Sequence, residues 1–237
     1  MDPAEATIVE ARSAAFLFHR QLLHAGLLGL LVAVSYALAA PKLGASDSWL
    51  GLSVRGWFWL NITVVVAHQV IVWLVFRGQL GWGVLSRVFG EWDLRFWGLV
   101  FMPFLVARPL LMVGLAVADS GSLMLPRWLS LTFGAALLAP ALYTLWSVFR
   151  YFGIPRALGG DHFRLCYRQM PMVRSGAFAW TPNGMYLIAF LGLWSIALLA
   201  GSHVALVVAL FQHAYIWVHY YCTEEPDMEL MYGDGDE

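Results

Sequence analysis

The chain has 237 residues, of which 60% are hydrophobic and 12% charged. That charged share is about half that of a soluble domain, and so short a chain cannot hide so much apolar surface from water. A soluble globular enzyme, a disordered protein and a disulfide scaffold are excluded, and an all-α polytopic membrane bundle is predicted. No polar linker divides it, so 1–237 reads as one membrane domain, with four spans in 1–149 and a loop, a helical hairpin and a tail in 150–237. The net charge is −1, and no basic stripe with interleaved aromatics lies outside the apolar segments, so nucleic acid is not an expected partner. Cys166 and Cys222 form no spaced motif, and no metal is expected.

In chain order, a polar segment at 1–21 carries Asp2, Glu5 and Glu10 against Arg12 and Arg20. Ala37-Leu38-Ala39 looks like a signal-peptidase site, but a cleaved leader wants a basic start and a shorter apolar run, so retention is expected. A helix needs about 20 residues to cross the hydrocarbon. Segments 22–40, 57–76, 96–118, 128–149, 185–200 and 204–221 qualify, the last two being short. The second ends at Arg77, and the third carries Arg108-Pro109 near its middle. Gly201-Ser202-His203 separates the last two, which reads as a tight hairpin. About six spans are predicted, all helical because open sheet edges cannot face lipid.

Ten loop arginines lie on one face, against Lys42, Arg55 and Arg127 on the other. Both termini and the 34-residue loop at 150–183 are therefore expected in the cytoplasm. No internal repeat is visible, which weighs against inverted-repeat transporters.

Polar residues concentrate in that loop and in the tail from Thr223, where seven of the 15 acidic residues, including Asp234, Asp236 and Glu237, cluster. A hairpin of the last two spans returns Asn183-Gly184-Met185-Tyr186 and Glu224-Glu225 to one face, about 10 Å apart. Carboxylates beside an aromatic suit a small cationic ligand. The alternative is a solvated stop signal and an interfacial tyrosine.

Gly176-Ala177-Phe178-Ala179-Trp180-Thr181-Pro182-Asn183-Gly184-Met185-Tyr186-Leu187 resembles the G-x-Y-x-x-x-R-H-P-x-Y-x signature of the integral-membrane methyltransferases. That group holds the phospholipid N-methyltransferases and the isoprenylcysteine carboxyl methyltransferases. Met172-Val173-Arg174-Ser175-Gly176 fits its lead-in, and Glu224-Glu225-Pro226-Asp227-Met228-Glu229-Leu230-Met231-Tyr232-Gly233 its closing E-E-x-x-L-x-x-x-F-G. The resemblance covers about a third of the chain. Gly184 stands at the proline of R-H-P and Ile188 at the glycine after the tyrosine. Tyr220 stands where the carboxyl methyltransferases carry arginine, and the E-E-P form is similar to the phospholipid enzymes.

The resemblance implies an S-adenosylmethionine-dependent enzyme acting on a lipid amine such as phosphatidylethanolamine, with the cofactor at the cytoplasmic end of the final hairpin. Asn183, Met185 and Tyr186 would line the pocket, Gly176 and Gly184 would shape its backbone, and Glu224 and Glu225 would hold the cofactor's amino or ribose groups. Glu224, with Asn183 at the signature's His position, would be catalytic, Glu224 taking the proton an ammonium must lose. The competing readings are an NADPH-dependent reductase on the same scaffold, similar to the steroid reductases, an isoprenylcysteine-type carboxyl methyltransferase, and a non-catalytic relative. Ile188-Ala189 lacks the acidic residue of the reductases.

Arg108 is expected to hold a lipid phosphate or to pair with a carboxylate. Arg168 and Arg174, with Arg164, are expected to meet a phosphate headgroup or simply to mark the cytoplasmic face. His24, His68, His213 and His219 are expected to be packed or hydrogen-bonded rather than haem ligands. Asn61, Thr63 and Gln69 are expected to bond between helices. Asp161-His162 alone is a weak acid/base pair. The bilayer and a membrane lipid are the expected partners.

Overall fold

The structure, a computed structural model, describes residues 11–45 and 47–233. The acidic residues noted at Asp2, Glu5, Glu10, Asp234, Asp236 and Glu237 lie outside the described residues. Six apolar helices make the bundle: α1 (Gln21–Ala39), α2 (Val54–Trp82), α3 (Asp93–Ala118), α4 (Arg127–Ser147), α5 (Leu191–Ala200) and α6 (His203–His219). A short α7 (Glu225–Tyr232) follows. Among the described residues the strands are two two-residue pieces, Ser48–Trp49 and Leu52–Ser53, paired before α2.

Among the described residues five helices are long and apolar enough to cross a membrane, and the sixth segment, Met185–Ala200, is a shorter apolar helix. The predicted bundle stands, with five full-length helices where six spans were counted. The run His203–Tyr232 is the central one: 56% of its most apolar stretch is buried, against 17–39% for the other four. It touches α1, α2, α3 and α5. Residues such as Leu22, Leu99 and Leu110 stay exposed on the outside, as lipid-facing side chains do.

The α5–α6 hairpin has local causes. Gly201 adopts a left-handed conformation (φ +65°) that ends α5, and the Ser202 hydroxyl caps α6 by accepting from Ala205 N. Asp119, at the end of α3, accepts from the Ser122 and Ser202 hydroxyls (2.6 and 2.7 Å) and from Val204 N (2.8 Å). One carboxylate thus ties the end of α3 to the hairpin turn. Helices α4 and α5 meet through small residues. A Cβ on Gly134 would lie 2.8 Å from Leu199 Cγ, and the Ser195 hydroxyl donates to Gly134 O at 2.8 Å.

At the opposite end the sequence reading needs correction. The second span does not stop at Arg77, because α2 runs on to Trp82 and buries that arginine completely. Its guanidinium makes six hydrogen bonds: Nε to Asp227 Oδ1, Nη1 to the carbonyls of Phe16, Leu17 and His19, and Nη2 to those of Cys222 and Thr223. A charge can stay in the bundle because every donor is used and a carboxylate faces it at 2.8 Å. Asp227 Oδ2 meets His162 Nε2 at 3.3 Å, and His162 Nδ1 meets Asp161 Oδ1 at 3.1 Å. The imidazole stacks on Phe76, centroids 4.1 Å apart. Asp161-His162 is therefore part of a buried ionic knot. Thr63 is exposed on α2, against the expectation that it bonds between helices, whereas Asn61 donates to Leu111 O of α3 at 3.0 Å.

Two outcomes follow from the knot. Asp227→Asn strips Arg77 of its counter-charge and is expected to destabilise the protein by about 3–5 kcal/mol, read from denaturant unfolding in micelles. A loss under about 1 kcal/mol would contradict the burial argument. The second concerns pH. Burial works against the His162 imidazolium, but hydrogen bonds to Asp161 and Asp227 outweigh it and push its pKa up to about 9. In the unfolded chain the value returns to about 6.5. A raised pKa means the stabilisation is complete below about 6.5 and is lost as pH rises through about 9, by on the order of 3 kcal/mol. Thermal midpoints should fall across that window, and His162→Gln should flatten the fall. A wild-type midpoint that stays level there would refute the charged state of His162.

Candidate active site

The loop after α4 is folded. A π turn (Val148–Phe152) ends α4, and the helical turns Ile154–Ala157, Leu165–Arg168 and Gly176–Ala179 follow. Gly176 is left-handed (φ +62°), and a Cβ there would lie 2.6 Å from Ser147 Oγ. Both facts demand glycine. The Ser147 hydroxyl in turn accepts from Ala177 N at 3.1 Å, fixing the loop to the end of α4. A Cβ on Gly184 would meet only ordinary contacts, 3.6 Å at the nearest, so packing places no such demand there.

Tyr186 and Glu224, 38 residues apart, meet directly: the tyrosine hydroxyl donates to Glu224 Oε2. Each sits in a π turn, Met185–Ala189 and Tyr220–Glu224. Such turns are rare and recur at functional sites. The second one carries Glu224 round to His219, whose Nε2 lies 3.5 Å from Glu224 Oε1. Tyr186, Trp217 and Tyr220 form a ring trio, with centroids 6.1, 5.8 and 5.8 Å apart. The Asn183 side chain lies near the Tyr220 hydroxyl. Asn183, Tyr186 and Glu224 therefore converge, with Met185 half-buried beside Tyr186. A carboxylate next to three aromatic faces can hold a cation, and among the described residues the basic side chain within ion-pair distance of Glu224 is the His219 imidazole.

The other expected site residues go elsewhere. Glu225 points away from Glu224 and pairs with Arg20 at 2.6 Å. Arg20 also donates to Tyr221 O at 2.8 Å, from a left-handed backbone (φ 59°) unusual for a non-glycine residue. Arg164 grips the buried Asp93 at 2.5 and 2.7 Å, so its charge is already matched. Arg168 Nε donates to Asp161 O at 2.7 Å, on the far side of the ionic knot. Arg174 is exposed. Arg108 lies inside the bundle, with Nε on Gln212 Oε1 at 3.1 Å and the guanidinium over the Phe190 ring. Among the described residues no carboxylate pairs with it, which removes that half of the expectation.

Sequence reasoning missed Trp217 and the place of His219. Positions five apart do not share a face in an α-helix, so nothing in a 3.6-residue period links His219 to Glu224. The run His219-Tyr220-Tyr221-Cys222-Thr223-Glu224 gives no outward sign of the π turn.

Residues 129–235 match the phospholipid methyltransferase family model. A phosphatidylethanolamine N-methyltransferase of Malassezia globosa is 33% identical over 75 residues, covering 32% of this chain and 8% of that protein. The Scheffersomyces stipitis and Saccharomyces cerevisiae proteins of the same name are 33% and 32% identical over 76 and 78 residues, or 31% and 33% of this chain. Each match spans under a tenth of the relative's length, 9% in both of these cases. No solved structure matches. The resemblance drawn from the two motifs is thus borne out over residues 129–235, the stretch that carries Asn183, Tyr186 and Glu224.

Proposed function

We propose that the chain is a membrane methyltransferase that moves the methyl group of S-adenosylmethionine to the amine of a phospholipid such as phosphatidylethanolamine. The observation that carries the reading is the Tyr186–Glu224 contact, which joins the two motifs inside the matched region. The residues present fit the cofactor's chemistry: a sulfonium is a soft cation, and Glu224 and the rings of Tyr186, Trp217 and Tyr220 offer charge and π faces to it. When bound, S-adenosylmethionine supplies an electrophilic methyl group on sulfur.

In this reading the chain's own residues do the remaining work. Asn183, Met185 and Tyr186 line the site, Gly176 shapes the loop over it, and the aromatic rings exclude water. An ammonium has no lone pair, so the substrate nitrogen must lose a proton before it attacks. Glu224 takes that proton on the oxygen facing His219, while the Tyr186 hydroxyl holds the other oxygen in place. Glu225 takes a supporting part, fastening the tail to Arg20. Residues 1–237 act as one membrane domain, and the loop end of the bundle faces the cytoplasm, in keeping with the excess of arginine at that end, which persists with the buried Arg77 left out.

Purified protein offered labelled S-adenosylmethionine with phosphatidylethanolamine and a prenylcysteine side by side should label the phospholipid. Tyr186→Ala and Glu224→Gln should each weaken cofactor binding about 10- to 150-fold, the cost of losing a charge-assisted contact. Unchanged affinity in both variants, or labelling of the prenylcysteine alone, contradicts the assignment. Binding of NADPH in place of S-adenosylmethionine would favour the reductase reading. Orientation has its own test. Cysteines introduced at Ser175 and Ser122, beyond the two ends of α4, should be labelled from the cytoplasmic and the opposite side respectively, and labelling of both from one side would refute the topology.

A further inference from the structure

Seven buried side-chain polar atoms lack a hydrogen-bond partner among the described residues, and six of them belong to His68, Arg108, Gln212 and His219. These residues come from three helices, α2, α3 and α6, and each is at most 5% exposed. Arg108 Nε holds Gln212 Oε1 at 3.1 Å, His219 lies seven residues beyond Gln212 on the same face of α6, and His68 packs on Phe101 and Phe104, which share a face of α3 with Arg108. Phe101 and Phe104 wall His68, with ring centroids at 4.7 and 5.5 Å, and Phe190 walls Arg108 at 5.2 Å.

Orphaned donors in a low-dielectric interior are costly, and a guanidinium without a carboxylate is more so. Arg77 provides the contrast within the same bundle: it is equally buried, and every donor is used. Arg108 uses Nε and leaves Nη2 free, while its bond to Gln212 occupies the amide oxygen and leaves the amide nitrogen free. The unused groups are therefore donors, or imidazoles able to donate, around one fixed positive charge. That set complements an oxyanion. At its edge His219 touches Glu224, so a positive region adjoins a carboxylate. A zwitterionic headgroup carries the opposite pattern, an anionic phosphodiester joined to an ammonium.

We propose that His68, Arg108, Gln212 and His219 form an oxyanion pocket inside the bundle that takes the phosphodiester of a phospholipid whose amine reaches Glu224. The placement of the amine rests on the methyl-transfer reading; the pocket itself rests on the orphaned donors.

The test is native mass spectrometry of the full chain in detergent with a short-chain phosphatidylethanolamine, the matching diacylglycerol and inorganic phosphate, alongside a separate S-adenosylmethionine binding assay. Arg108→Gln is expected to take up the phospholipid at least about tenfold more weakly while binding S-adenosylmethionine within about twofold of wild type. Gln212→Glu supplies Arg108 with an internal carboxylate and should cause the same loss with the bundle held firmly, so poor folding of one variant does not decide the matter. Diacylglycerol should bind wild type no better than it binds Arg108→Gln. Phospholipid uptake equal to wild type in both variants overturns the pocket. Binding of inorganic phosphate without uptake of the phospholipid overturns the lipid assignment. Failure of wild type to bind S-adenosylmethionine, with phospholipid uptake still dependent on Arg108, would sink the methyl-transfer reading and uphold the pocket.

Discussion

The buried guanidinium of Arg77 organises the loop end of the molecule. Its six hydrogen bonds reach the carbonyls of Phe16, Leu17 and His19 before α1, those of Cys222 and Thr223 in the last π turn, and the carboxylate of Asp227. Both flanks of the bundle therefore close on α2. Because the donors need carbonyls that are not already used within helices, the guanidinium favours irregular backbone around it. The break before α1 and the π turn of 220–224 both supply it. The same π turn sets Glu224 against Tyr186 and His219. A structural requirement, satisfying one buried cation, thus shapes the backbone on which the candidate chemistry depends.

Around that fixed point the two arginines of the interior have opposite fates. Arg77 is saturated and matched in charge, and it holds elements together. Arg108 lies over the Phe190 ring with Gln212 as its polar partner and a donor to spare among the described residues. Burial alone does not separate them, since both lie within 5% of full enclosure. The state of their donors does, and it assigns one to the scaffold and the other to ligand recognition.

Much of this was legible in the sequence. Apolar length and the missing linker give the helical bundle, and Gly201-Ser202 gives the hairpin. The spacing of the two motifs anticipates the meeting of Tyr186 and Glu224. What escaped depends on contacts that no local pattern encodes. Arg77 looks like a stop signal because nothing nearby in sequence can pair it, and its carboxylate lies 150 residues away. Arg164 looks like a headgroup ligand until Asp93, 71 residues before it, is found against it. Glu224-Glu225 reads as one acidic unit, yet neighbouring residues on a helix point about 100° apart. One carboxylate goes to Tyr186 and the other to Arg20. Thr63, two positions past Asn61 and so about 200° round the helix from it, faces outward for the same reason.

The three π turns have a consequence for how such a site can arise and vary. A π turn holds one residue more than the α turn it replaces, so each is geometrically a one-residue insertion absorbed as a local bulge. At 185–189 and 220–224, where a helix continues beyond the bulge, that helix keeps its face, and at 148–152 the turn closes α4. All three, at 148–152, 185–189 and 220–224, lie at the same end of the bundle. They release backbone carbonyls and re-aim side chains there without altering the contacts between α4 and α5 or the Asp119 staple at the far end. The fold therefore separates a regular half, where an insertion would shift whole faces, from a half that tolerates single-residue changes and can be remodelled for new ligands while the rest of the helix stays in register.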